Sequence, residues 1–490
     1  MTSTAAPDAV TGAGSSPPSL SRRDRTVIAV LLVATFVVIL NETIMGVALP
    51  VLLDELQVTA AVGQWLTAGF LLTMSVVIPV TGYLIQRVPT RVLYGAAMTL
   101  FSAGTLLAAL APGFTVLMAG RVVQACGTAI MLPLLMTTVM TLVPPARRGA
   151  VMGNISIVIS VAPAIGPTVS GVVLNTFGWR AMFWVVLPIA VGTLLLGVRQ
   201  VTSVGESSDT PLDLLSVALS VVGFGGLVYG LSSIGHSGGS AGTTLWVSFA
   251  LGIGGITAFV LRQVSLQRRE RALLDLRTFT FRTFTLASAL MMVMMGLLLG
   301  TVTILPIYLQ NVLRLDPLAT GLLLLPGGLL MGLLSPLVGR LYDRVGPRVL
   351  LVVGTAATSA SLWFATTFDA ATPAALVLVF HLVLSLGLAF SFTPLFSSGL
   401  GALPSRLYSH GSAVFSTTQQ LAAAAGVALL VSVMSAAAAE LTASGQAAAA
   451  EMGGVHSALL LAAFVSLLPV AGSFAIGGKV DTGAGVPAHH

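Results

Sequence analysis

The sequence predicts an all-α polytopic membrane protein in which two six-helix halves flank an inserted helix pair. Three observations carry that reading. The 490 residues are 56% hydrophobic and 8% charged, with a mean hydropathy of +1.00, where a soluble domain has about 25% charged residues. Apolar runs of about 20 residues, each long enough to cross roughly 30 Å of hydrocarbon as a helix, recur along nearly the whole chain, without the alternation of a membrane β-barrel. A ten-residue stretch also recurs: Gly82 to Arg91 reads GYLIQRVPTR and Gly339 to Arg348 reads GRLYDRVGPR, with Gly, Leu, Arg, Val and Arg at equivalent places. The repeat marks a duplicated half.

Taken in order, fourteen spans are expected at about 27–50, 61–85, 92–111, 115–142, 150–173, 181–198, 213–234, 244–262, 283–310, 318–339, 347–367, 373–399, 411–437 and 455–475. The first six form one half (25–200), the next two an inserted pair with its linker (201–282), and the last six the second half (283–476). Residues 1–24, rich in Ser, Pro, Ala and Gly and lacking a secretory core, read as a disordered cytoplasmic tail, and 477–490 as a second one.

Charge checks the count. With the N-terminus cytoplasmic, the expected outside segments hold only Arg180 and Arg314 of the 22 basic residues; Arg121 lies within a span, and the rest, from Arg22 to Lys479, fall inside. One span more or fewer would invert every later loop, so an even number with both termini inside is required. The net charge of +6 therefore reflects orientation in a bilayer, and nucleic acid is not an expected partner. The longest internal hydrophilic segment, 263–282, reads as a solvated loop that sets topology, with lipid headgroup contact as its alternative. Cys126 is the one cysteine, so no intramolecular disulfide or paired-cysteine metal site is possible, and no metal or cofactor is expected.

Glu42 is the one ionisable side chain between Val27 and Leu53. An ionisable group at membrane depth is costly and marks function. A carboxylate closed off from water holds its proton more tightly and releases it when opened to water, so one such group can carry protons; packing against a neighbouring donor is its alternative role. Arg121 is the basic counterpart, three residues before Gln124 on one helical face. A buried arginine must face a carboxylate, carbonyls or water, or else snorkel outward. Nothing points to an enzyme: phosphate-binding GxxxxGK[ST], HExxH and a Ser/His/Asp set are all missing.

These motifs resemble the major facilitator superfamily, specifically its fourteen-span drug:proton antiporter branch, over residues 22–475. Asn41 to Pro50 (NETIMGVALP) resembles that branch's first-helix motif, with the acid one place later than usual, and the NET version is similar to the lincomycin-resistance type of exporter. Gly120 to Gly127 (GRVVQACG) resembles the fourth-helix motif, with Ala125 where glycine is usual. Ala162 to Gly171 (APAIGPTVSG) resembles the antiporter motif of the fifth helix, matching at Gly166, Pro167 and Gly171. The cytoplasmic repeats resemble the superfamily's Gly-x-x-x-Asp-Arg-x-Gly-Arg latch. The second copy keeps Gly339, Asp343 and Arg344; the first keeps Gly82, Arg87 and Arg91 but has Gln86 for the acid.

The resemblance implies a proton-coupled exporter of small amphipathic drugs working by alternating access, expected as a monomer in the bacterial cytoplasmic (inner) membrane, with the proton gradient and no cofactor as its energy source. It implies proton coupling at Glu42 and Arg121. Asn41, Gln124, Gln419, Gln420 and His381 are candidates for the substrate cavity, the two glutamines having helix-contact roles and the histidine a packing role as alternatives. The tenth span carries no acid, which favours neutral or monocationic substrates. A proton-coupled uptake symporter and a non-transporting membrane scaffold are the alternative functions.

Overall fold

The computed structural model describes residues 20–58, 60–63, 65–202, 213–234 and 242–477. Of the expected tails at 1–24 and 477–490, residues 1–19 and 478–490 lie outside the described residues. The α-helices among the described residues are α1 (Arg22–Glu55), a single turn α2 (Ala60–Gly63), α3 (Trp65–Arg87), α4 (Thr90–Ala109), α5 (Phe114–Leu142), α6 (Arg148–Phe177), α7 (Trp179–Gln200), α8 (Leu214–Ile234), α9 (Thr243–Gln267), α10 (Arg282–Ile307), α11 (Pro317–Val345), α12 (Pro347–Ala365), α13 (Ala374–Gly401), α14 (Tyr408–Ala443) and α15 (Ala447–Ser473). Apart from α2, each helix covers one expected span. Among the described residues, 13 helices are long and apolar enough to cross a membrane; the remaining long one, α6, has 30 residues and packs between α1 and α11.

Several helices overrun their apolar cores. α1 begins at Arg22, inside the stretch expected as tail, with Ser21 as N-cap accepting from the Asp24 N–H at 3.0 Å. α14 runs from Tyr408 to Ala443 although its apolar core spans about 411–437. Hydropathy marks the hydrocarbon slab, whereas a helix continues through the headgroup region, where polar side chains are solvated.

The turn at 143–148 meets that at 345–347 through Asp343, and the turn at 87–90 meets that at 401–408 through Gln86, on the arginine-rich side. The halves meet chiefly where α6 runs along α11 and α3 along α14, with α5 also against α14 and α13 against α6. The inserted hairpin α8–α9 lies outside this core against α3 and α14. Its helices touch backbone to backbone, since a Cβ on Gly223 would meet the Ile256 N at 2.7 Å.

The repeated turns differ in backbone. Gly346 takes φ 81° and ψ 178°, a conformation open to glycine. The first copy has Pro89 there at φ −50°, so its turn is built another way.

Candidate functional site

The membrane-depth cluster is built from four helices. α5 carries Arg121, 1% exposed, whose Nη1 donates to Asn41 Oδ1 of α1 at 3.3 Å and to Gln124 Oε1 at 2.6 Å. Gln124 Nε2 donates to Thr105 Oγ1 of α4 at 2.8 Å, and that hydroxyl donates to the Phe101 carbonyl at 2.7 Å. The guanidinium carbon lies 4.0 Å from the ring centroid of Phe70 in α3. Snorkelling is thus not what Arg121 does: α4 and α5 pack closely enough to hold it inside, with its Nε buried and without a partner.

Glu42 is half-buried beside this network. Its charge acts on Arg121 through space, while the arginine's hydrogen bonds go to Asn41 and Gln124. Asn41 and Gln124, expected in the substrate cavity, are 2% and 0% exposed and spend these polar atoms on the arginine and Thr105. Thr105 and Phe70 escaped sequence reasoning because a threonine or phenylalanine in an apolar span is ordinary.

The next residues of α1 meet the small-residue motif of α6. A Cβ on Gly166 would sit on the Thr43 hydroxyl, and Ser170 Oγ donates to the Ile44 carbonyl at 3.0 Å. The NET motif therefore touches α5 through its asparagine and α6 through its threonine, with Glu42 between. Pro167 and Gly171 lie on α6.

On the arginine-rich side both repeat copies bridge the halves. Asp343 of α11 accepts from the Gly149 and Ala150 N–H groups at 2.9 Å each, placing a carboxylate on the N-terminus of α6. A Cβ on Gly339 would sit on the Gly149 carbonyl, so glycine is what permits this approach. In the first copy Gln86 Nε2 donates to the Arg406 carbonyl at 3.0 Å, just before α14, and a Cβ on Gly82 would meet Ala413 Cβ at 3.0 Å. Arg87 lies over the Tyr83 ring at 4.5 Å, whereas Arg91 and Arg344 are exposed.

The match to known proteins covers most of the chain: residues 31–427 fit the model of the Major Facilitator Superfamily. The chain belongs to that superfamily. It is similar to the "uncharacterized MFS-type transporter YcnB" of Bacillus subtilis (strain 168), at 41% identity over 92% of this chain and 94% of the relative. It is also similar to the lincomycin resistance protein LmrB of the same organism, at 38% identity over 91% and 94%. Among solved structures, the human organic anion transporter MFSD10 (TETRAN) superposes with a TM-score of 0.65, covering 92% of this chain and 100% of that one at 14% identity, which speaks to fold alone. This protein is a multi-pass membrane transporter, not an enzyme.

In this transporter further polar contacts cross between the halves. Thr137 of α5 donates to Ser412 of α14 at 3.1 Å, the Ser156 and Thr393 hydroxyls lie 2.9 Å apart, and Gln420 Nε2 lies 3.7 Å from Met74 Sδ. Between Ser412 and Gln420, the hydroxyls of Ser416 and Thr417 and the Gln419 Nε2 are buried with no partner. His381 lies apart from them, in α13, its Nε2 3.0 Å from the Leu324 carbonyl of α11 and its Nδ1 buried without a partner.

Proposed function

We propose that this transporter is a proton-driven exporter of small amphipathic drugs, exchanging drug for protons by rocking its two halves about a central path. The observation that carries the reading is the placement of Glu42, a lone acid at membrane depth, within electrostatic reach of an arginine locked by Asn41 and Gln124. A proton on Glu42 removes the negative charge facing Arg121. Leaving Arg121 uncompensated in a dry site is unfavourable, so proton binding and water access to the site are linked.

The same carboxylate abuts Thr43, which packs on α6, and α6 is the helix whose N-terminus is gripped by Asp343 of the other half. A change at the acid therefore has a short mechanical route to the closed arginine-rich face.

The unpartnered Ser416, Thr417 and Gln419 groups offer hydrogen bonds without net charge to a bound drug. That suits neutral or monocationic compounds, and the similarity to a lincomycin resistance protein supports an antibiotic as cargo. In this reading the arginine-rich face and both termini are cytoplasmic, the membrane is the bacterial cytoplasmic one, the working unit is a monomer, and the proton gradient replaces any cofactor.

The test is transport in inside-out vesicles with an acidified lumen. A lincosamide should accumulate and release protons from the lumen as it does so. Movement of drug together with protons would instead make the protein a symporter.

A further inference from the structure

The inserted pair is attached unequally to the two halves. At its arginine-rich end, Asp213 and Arg262 close the hairpin at 3.0 Å. Gln263, 0% exposed, donates to Ser216 Oγ at 2.7 Å and accepts from the N–H groups of Leu273 and Leu274 at 2.7 and 3.2 Å. One buried amide thus ties both helices of the insert to the linker that follows them.

The linker is in turn keyed into the second half. The His410 ring, at the start of α14, lies against the Leu273 carbonyl, and Asp275 is within electrostatic reach of that ring while holding Arg277 at 2.6 Å. Phe279 packs edge-on against Phe284 of α10 at 5.7 Å, and Phe284 against Phe415 of α14 at 5.2 Å.

Toward the first half the packing is of another kind. The hairpin faces α3 across a mostly apolar groove of about 510 Å³, lined by Leu72, Thr73 and Val76 on one side and Val221, Gly225, Leu251, Tyr229 and Ser248 on the other. The Trp65–Tyr229 stack at 5.5 Å bridges α3 and α8. Smooth apolar surfaces slide past one another more readily than a buried hydrogen-bond network rearranges.

We infer that the inserted pair is mechanically part of the second half, carried by its linker, and that its face against α3 is a sliding seam. The inference rests on the rocking of the halves proposed above. It assigns the insert to one side of the moving interface, with the α3 seam shearing whenever α3 and α14 part.

Electron–electron distance measurements on spin-labelled full-length protein in lipid nanodiscs test it, with Cys126→Ala as background and labels at exposed Val92 (first half), Leu215 (insert) and Val349 (second half). The halves are driven apart by Asp343→Asn and by a pH step. The 92–349 distance reports rocking itself: if it stays fixed, the rocking reading fails and this inference with it. When it moves, 215–92 should shift by more than the width of its own distribution while 215–349 stays put. A shift in 215–349 would overturn the assignment. Gln263→Leu should then broaden the 215–349 distribution, and an unchanged sharp distribution would show that the linker is not the tie.

Discussion

Arg121 is where residue chemistry is most constrained. Its Nη1 serves two amide oxygens while its plane covers Phe70, a combination that suits a planar guanidinium and not a compact ammonium. Arg121→Lys should keep the charge but lose this geometry, lowering drug-driven proton flux by about tenfold, the equivalent of one charged hydrogen bond. Flux measured in vesicles at matched protein levels checks it. Glu42 and Arg121 were legible in the sequence because a charge among apolar residues stands out. The Thr43 to Gly166 contact was not, since it joins two small residues on helices far apart in the chain, and neither residue type signals a partner.

At the scale of elements, the spans were readable from hydropathy, and their ends were not, because helices continue into the headgroup region. The two latches show how a repeat diverges while the task persists. Asp343 accepts from two N–H groups at a helix start; Gln86 donates to a carbonyl before one. Asp343→Asn should weaken the α6 contact by about 1–3 kcal/mol, raising the reactivity of a cysteine placed at half-buried Ala150 toward a water-soluble thiol reagent. Gln86→Asp restores the usual family residue yet should weaken the first latch by about 1 kcal/mol, because a carboxylate has no hydrogen to give the Arg406 carbonyl. A cysteine at Ser409 should become more reactive in that variant.

The inserted hairpin bears on pH. Hydrogen bonds from Arg262, joined by those of Ser216, hold the Asp213 carboxyl down to about 2, below its ordinary 3.8. For Asp275, burial pushes the carboxyl up, but the bonds from Arg277 and the nearby His410 charge outweigh it and leave it below the usual range. A carboxyl depressed in the folded state adds stability above its unfolded value and loses it as pH falls through the folded one. Both contributions are therefore constant from pH 5 to 8. Asp213→Asn should lower the thermal midpoint equally at pH 5 and pH 8, read by differential scanning fluorimetry, and leave the pH profile of transport unchanged.

For the molecule as a whole, the structure joins the arginine-rich face through Asp343 and Gln86 and places the acid at membrane depth beside a fixed arginine. The architecture was legible because hydropathy, charge asymmetry and the repeated turn agree. The attachment of the insert was not, because Gln263, an ordinary loop residue in sequence, is the amide that ties it down. The central claim is that Glu42 carries the coupled proton. The most direct measurement compares wild type with Glu42→Gln in inside-out vesicles, reading lincosamide accumulation driven by an imposed pH gradient at equal expression. The account predicts that Glu42→Gln loses gradient-driven accumulation while still binding drug. Undiminished accumulation by that variant would contradict it.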